Sequence, residues 1–202
     1  MTTLGVTGGI GSGKSTACRF LEDLGARVFY ADAEAKRLMQ EDDALRTAIA
    51  EAFGADTYDA DGTLNRAHLA ALVFSDDDKL HQLNALVHPK VFEAFGQAKE
   101  QAEAEEVEVL VHEAALIFES GGDAHLDAVA VVDAPVDVRI RRVRARDGAS
   151  EAEVRARMAH QLPPAELRER ADYVLDNSGS TEALRRQVQA LYAQVTGPEA
   201  AQ

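Results

Sequence analysis

Cysteine is almost absent from this chain of 202 residues, where Cys18 is the only one. No intrachain disulfide can form, which fits a reducing compartment. Cys18 sits in an apolar helical pattern and reads as a small buried hydrophobe, not a nucleophile. Long apolar runs are missing as well. Nothing approaches the roughly 18 residues of a membrane span, so no membrane association and a cytoplasmic location are expected. The N-terminus runs straight into a strand pattern, and no signal peptide is expected. Positive charge is scarce: 21 Lys and Arg face 35 Asp and Glu, a net charge of −14. Such a chain repels polynucleotides, so nucleic acid is not expected as a partner. No internal repeat and no Asn-Lys-x-Asp guanine signature occur, which argues against a GTPase-like switch. The same negative sign opposes any anionic small ligand, so cations must be concentrated where one binds. The densest basic segment is Arg139–Arg146, R-I-R-R-V-R-A-R.

What is present begins seven residues in. Gly8–Ser15 reads G-G-I-G-S-G-K-S, a complete G-x-x-x-x-G-K-[ST] phosphate-binding loop. Backbone N–H groups of such a loop surround a phosphate chain, and Gly8, Gly11 and Gly13 are expected to permit the close approach. Lys14 would reach the β and γ phosphates and Ser15 would ligate Mg²⁺. Thr3–Thr7 before the loop is a strand pattern. Lys14–Leu24 after it has helical spacing through Ala17, Phe20, Leu21 and Leu24, and the helix dipole adds to the same phosphates. ATP and Mg²⁺ are the expected nucleotide and metal.

Four further segments, Arg27–Tyr30, Val107–His112, Ala128–Asp133 and Tyr173–Asp176, read as short buried strands separated by helical patterns. This predicts a three-layer α/β P-loop NTPase fold, nucleotide-kinase-like, with a five-stranded parallel sheet. Too much chain lies between the second and third strands for one crossover helix. Residues 32–105 are therefore expected to be a helical substrate-binding insertion, with Asp59-Ala60-Asp61-Gly62 as an internal turn. The nucleotide-binding core comprises residues 1–31, 106–146 and 171–202. Gly148 breaks the basic helix, and Ser150 with Glu153 forms a capping-box pattern opening a helix to Gln161. Leu162-Pro163-Pro164 stops it before a short helix from Ala165 to Arg170. Residues 147–170 are read as a helical hairpin projecting from the sheet as a lid, and Thr196–Gln202 as a frayed tail.

Asp32 follows the second strand, which is expected to neighbour the loop strand, at the carboxyl edge where open α/β sheets hold ligands. It could orient an acceptor hydroxyl near the γ-phosphate, or cap a helix starting at Ala33. The two roles are compatible. Arg139, Arg142 and Arg146 recur at helical spacing on one face, with Arg141 and Arg144 elsewhere and Ile140 and Val143 on the buried side. Beside a phosphate loop this stripe reads as charge for a transferring phosphoryl group; alone it reads as a solvated face paired to Asp137 and Asp147. Glu113, at the end of the third strand, could hold Mg²⁺ through water. His88-Pro89 is expected to be extended between two helices, touching substrate or fixing a turn. Asn177 could line an adenine pocket or cap the next helix.

These residues resemble the dephospho-coenzyme A kinase family. The likeness begins with T-G-G-I-G-S-G-K-S-T at Thr7–Thr16 and Ala31-Asp32. It continues through Asp61-Gly62-Thr63-Leu64, then Leu83-Asn84-Ala85-Leu86-Val87-His88-Pro89 and Leu116-Ile117-Phe118-Glu119. Val131-Val132-Asp133, Arg142 to Arg146-Asp147, Gln161 and Ala171-Asp172…Asn177 complete it in order. The resemblance implies ATP-dependent phosphorylation of the ribose 3′-hydroxyl of dephospho-coenzyme A. It implies Asp32 at the acceptor hydroxyl, Lys14 and Arg142 on phosphates, and the insertion around the coenzyme A moiety. An ATP site of Gly9, Ile10, Gly11, Ser12, Gly13, Lys14, Ser15, Thr16, Arg146 and Asn177 follows from it. So does a substrate site of Thr7, Asp32, His88 and Leu116, with Ser15 and Glu113 toward Mg²⁺. Two departures stand out: Ala115 where the family usually has proline, and Glu113 where aspartate is common. A nucleoside monophosphate kinase would share loop, lid and fold class. The resemblance favours dephospho-coenzyme A through the long insertion and Asp32. A monomer or weak homo-oligomer is expected.

Overall fold

The computed structural model describes residues 1–74 and 76–197. They form two compact units, residues 31–98 and the remainder on either side. The larger unit is built on a parallel sheet of β1 (Thr2–Thr7), β2 (Arg27–Tyr30), β3 (Val109–Glu113), β4 (Ala128–Asp133) and β5 (Tyr173–Asp176). Their order is β2-β3-β1-β4-β5. Strands of this type are apolar on both faces because helices cover both. Leu4, Val6, Ala130 and Val132 pack with Val109 and Val111 against helix α1 (Lys14–Asp23) and helix α9 (Thr181–Thr196). Alternation sends Val129 and Val131 to the opposite face, where they meet Ile117, Phe118 and Leu167.

Two expectations about the sheet change. β2 pairs with β3 and not with β1, so β3 separates the strand before Asp32 from the loop strand. β3 itself begins at Val109, because Val107 still belongs to the preceding turn and bonds back to Ala102 O at 2.9 Å.

After β4 come α6 (Val136–Asp147), α7 (Glu151–Ala159) and α8 (Pro164–Arg170). Gly148 ends α6 in the left-handed region, and both bonds of the Ser150–Glu153 capping box form. The α7–α8 hairpin has its apolar residues packed on neighbouring elements. Val154 and Met158 of α7 pack with Ile140, Val143 and Ile10, and Leu167 of α8 is buried in the cluster beside β4. Each short helix has an apolar stripe that burial stabilises. Of the tail, Thr196 closes α9, and residues 198–202 lie outside the described residues.

Within residues 31–98 lie α2 (Ala31–Glu41), α3 (Asp43–Phe53), α4 (Arg66–Phe74) and the start of α5 (Asp77–Ala104). Asp42 caps α3 by accepting from Leu45 N at 2.8 Å. The Asp59–Gly62 turn forms, with Gly62 N donating to Asp59 O at 2.8 Å, and Tyr58 bridges to Leu64 across it. Leu64, Leu69 and Val73 make the local core with Met39, Phe53 and Leu80. His88-Pro89 does not break the chain: α5 runs through both. Proline removes the N–H that would bond the carbonyl of Ala85, and both Ala85 and Pro89 are exposed, so water can serve that oxygen.

Candidate active site

The loop between β1 and α1 is held from behind. Gly13 precedes α1 with φ 105°, and a Cβ there would lie 2.1 Å from Asn177 Nδ2. At Gly11, φ is 78° and a Cβ would lie 2.6 Å from Arg139 O. Glycine is therefore demanded by the protein's own backbone and side chains packed on the loop, a steric reason beyond the expected approach of phosphate. Lys14 Nζ donates to Gly8 O at 2.9 Å, folding the lysine over the opening half of the loop.

Three side chains grip the loop's carbonyls. Arg139 Nε donates to Ile10 O at 3.0 Å. Arg142 Nη1 donates to Ser12 O at 3.3 Å, and its Nη2 to Asn177 O at 3.0 Å. Asn177 Nδ2 donates to the same Ser12 O at 2.6 Å. Gln161 holds the other end of Ile10, accepting from its N–H at 2.8 Å while donating to Ala115 O at 3.3 Å. A trans peptide points its C=O and N–H to opposite sides. Outward-tied carbonyls of Ile10 and Ser12 thus turn the N–H groups of Gly11 and Gly13 to the inner side, where the motif receives phosphate. The hydroxyls of Thr7, at the end of β1, and of Ser12 are buried and, among the described residues, have no hydrogen-bond partner. Buried polar atoms of that kind beside the loop fit a polar ligand.

The arginine stripe divides. Arg139 is buried, Arg142 is half-buried against the loop, and Arg146 turns away to Asp147, with Nε–Oδ1 2.7 Å and Nη2–Oδ2 3.0 Å. Arg146 is thus in the solvated pairing that the spacing also allowed, not on the loop. Arg141 and Arg144 line an open cleft on the outer side of α6 with Asp137 and Glu151. Asn177 does not cap α9, because Ser180 does so through Ala183 N.

Glu113 closes β3 in register with Val6 of β1 and is buried. It and Lys14 both act electrostatically on Cys18, whose thiol burial pushes up far beyond any reactive range. Leu116 lies half-buried in the turn after β3, and Thr16 and the exposed Ser15 lie in the first turn of α1. Among the described residues no group of three or more His, Cys, Asp or Glu is placed to hold a metal ion. Ser15 and Glu113 suit a hard cation carried on phosphates and water, not one held in a protein cage.

In the smaller unit Asp32 is exposed in the first turn of α2, one residue inside a helix that starts at Ala31. It is not the N-cap, although its charge still favours the helix dipole. His88 is half-buried inside α5, edge-on to Phe92 at 6.5 Å, and burial lowers its pKa. Sequence reasoning missed that Gln161 bears on the loop and that Arg139 is buried behind it. The arginine stripe placed Arg139 on the right face, but nothing local marks it as buried.

A phosphate loop between the first strand and first helix of a parallel 2-3-1-4-5 sheet, braced by arginines of the helix after the fourth strand, defines a P-loop kinase. A family model described as dephospho-CoA kinase matches residues 2–183, and the chain belongs to that family. It is 61% identical over 197 residues to the dephospho-CoA kinase of Salinibacter ruber, covering 98% of this chain and 99% of that one. The Corynebacterium diphtheriae dephospho-CoA kinase is 43% identical, with 95% and 96% covered. Among solved structures, a Thermus thermophilus protein superimposes with a TM-score of 0.81 at 40% identity, covering 97% and 98% of the two chains. The dephospho-CoA kinase of Campylobacter jejuni gives 0.71 at 26% identity, covering 96% of each.

Proposed function

We propose that this chain transfers the γ-phosphoryl group of ATP to the ribose 3′-hydroxyl of dephospho-coenzyme A, giving coenzyme A and ADP. The family match over residues 2–183 carries this reading, and the braced loop supplies its donor half. The 3′-oxygen forms a bond to the γ-phosphorus as the bond from that phosphorus to the β-bridging oxygen breaks, and ADP leaves with the electron pair. Transfer of this kind passes through a loose transition state, so positioning and charge outweigh basicity. The inward N–H groups of Gly11 and Gly13 hold the phosphate chain, and Lys14 neutralises its β and γ charges. Ser15 and, through water, Glu113 would hold Mg²⁺, which when bound would supply charge compensation for the phosphate oxygens. Arg142 and Asn177 shape the nucleotide end of the loop.

Asp32 orients the acceptor hydroxyl and takes its proton late. Its place just beyond the carboxyl end of β2 supports that role. Residues 31–98, with His88, receive the coenzyme A moiety. The enzyme works in the cytoplasm as a monomer or weak homo-oligomer. No helix among the described residues is long and apolar enough to cross a membrane. The test is ADP release against a panel of acceptors. Turnover is expected with dephospho-coenzyme A and not with nucleoside monophosphates; the reverse pattern would sink the reading.

A further inference from the structure

Arg139 carries a charge that the reaction as described does not use. Its side chain is only 4% exposed. Nε is bonded to Ile10 O, and among the described residues neither Nη has a hydrogen-bond partner and no carboxylate pairs with the group. The acid that acts on it through space, Asp133, is already bound to Arg168 at 2.6 Å. A buried cation without a counter-ion is costly, and this chain has acidic residues in excess that could have supplied one. The guanidinium is instead laid against the loop: a Cβ on Gly9 would lie 2.3 Å from its central carbon.

The contact falls at an informative place. Ile10 is clamped at both ends, its N–H by Gln161 and its C=O by Arg139. Its side chain is pegged among Ile140, Val143 and Val154. The Ile10–Gly11 peptide therefore cannot rotate freely. A cation on its oxygen both fixes the Gly11 N–H on the phosphate side and makes that N–H a stronger donor. Lys14 Nζ lies over the adjacent Gly8 carbonyl, so two cations converge on the opening half of the loop.

We propose that Arg139 is a positioning residue for the nucleotide's phosphates: it orients and polarises the Ile10–Gly11 peptide, and the phosphate chain is the anion that its buried charge awaits. This rests on the loop being a nucleoside triphosphate site, which the functional reading also requires, but not on the identity of the acceptor.

The test is calorimetric titration of Mg²⁺-ATP into the wild-type chain and Arg139→Lys, Arg139→Gln and Arg139→Met, with the melting temperature of each free protein. Lysine keeps the charge and a donor, and affinity should stay within about threefold of wild type. Glutamine keeps a donor alone and should weaken ATP by about 10-fold; methionine keeps neither and should weaken it further. The salt dependence of binding should also flatten in the glutamine variant. ATP affinity within about twofold of wild type in both neutral variants, whatever their melting temperatures, would overturn the proposal. Equal weakening in all three would overturn it too, leaving a shape-specific staple. If Arg139→Met does not fold, the lysine and glutamine pair decides. No acceptor is present, so failure to phosphorylate dephospho-coenzyme A would strike the functional reading and leave this one standing.

Discussion

Asn177 Nδ2 donates to Ser12 O at 2.6 Å and fills the space where a side chain on Gly13 would begin, 2.1 Å from that would-be Cβ. One amide thus orients the loop and excludes every other residue type from its last glycine position. Gly13→Ala should lose ATP binding and stability together, because φ 105° is strained for alanine and the Asn177 amide must move. Asn177→Ala should cost about 0.5–1.5 kcal/mol, because it removes one of two donors to the Ser12 carbonyl and Arg142 keeps the other. In the double variant the steric part disappears, while the backbone strain and the lost Asn177–Ser12 bond remain. Melting temperatures and ATP affinities of the four proteins should therefore give less loss than the sum of the two single changes; simple additivity would refute the contact.

Arg142→Ala removes donors from both Ser12 O and Asn177 O. Because it distorts the loop as well as deleting a charge, kcat/KM for ATP should fall by about 10² or more. Unchanged steady-state kinetics would leave this arginine a structural brace without a part in catalysis.

Asp32→Asn separates two roles. Asp32 sits inside the first turn of α2 and is not its cap, so the stability loss should be small, about 0.3–1 kcal/mol from the helix dipole. Turnover should fall steeply while ATP affinity stays near that of wild type. A large drop in melting temperature with intact turnover per folded molecule would make the residue structural.

His112 gives a pH signature. Buried in β3 and stacked on Phe29 with ring centres 5.6 Å apart, it has its pKa lowered to about 4 by burial. The unfolded chain binds this proton near pH 6.5 and the folded one only near 4, so the unfolded state holds more protons in between. The stability contribution is present above about 6.5 and is lost as pH falls toward 4, about 3 kcal/mol in all. His112→Phe should flatten that part of the curve of unfolding free energy against pH measured in urea. An unchanged slope would show that His112 titrates normally.

Much of the fold was legible because its signals are local. β2, β4 and β5 fall on the expected residues and β1 starts one earlier, since short β-branched runs between helices have few alternatives. The Ser150–Glu153 box and the Gly148 stop also formed as the residues imply. Errors came where a local preference met a tertiary one. Proline after His88 predicts an extended break, yet α5 runs through it, with the exposed Ala85 and Pro89 leaving the freed carbonyl open to water. Arg146 shares a helical face with Arg142 but is at the open end of α6, where Asp147 is the closer partner.

Taken alone, the sequence determined the ligand class and the family. Gly8–Ser15 must form a phosphate loop wherever it follows a strand and opens a helix, and the order of the later motifs is readable without coordinates. Only the tertiary structure decided which side chains stand behind that loop. Arg139, Arg142, Gln161 and Asn177 are far from it in the chain and come to its peptide groups through the packing of α6, the α7–α8 turn and the end of β5. Strand order, burial and the direction of a peptide's dipole are properties of the assembled fold, and no spacing along the chain encodes them.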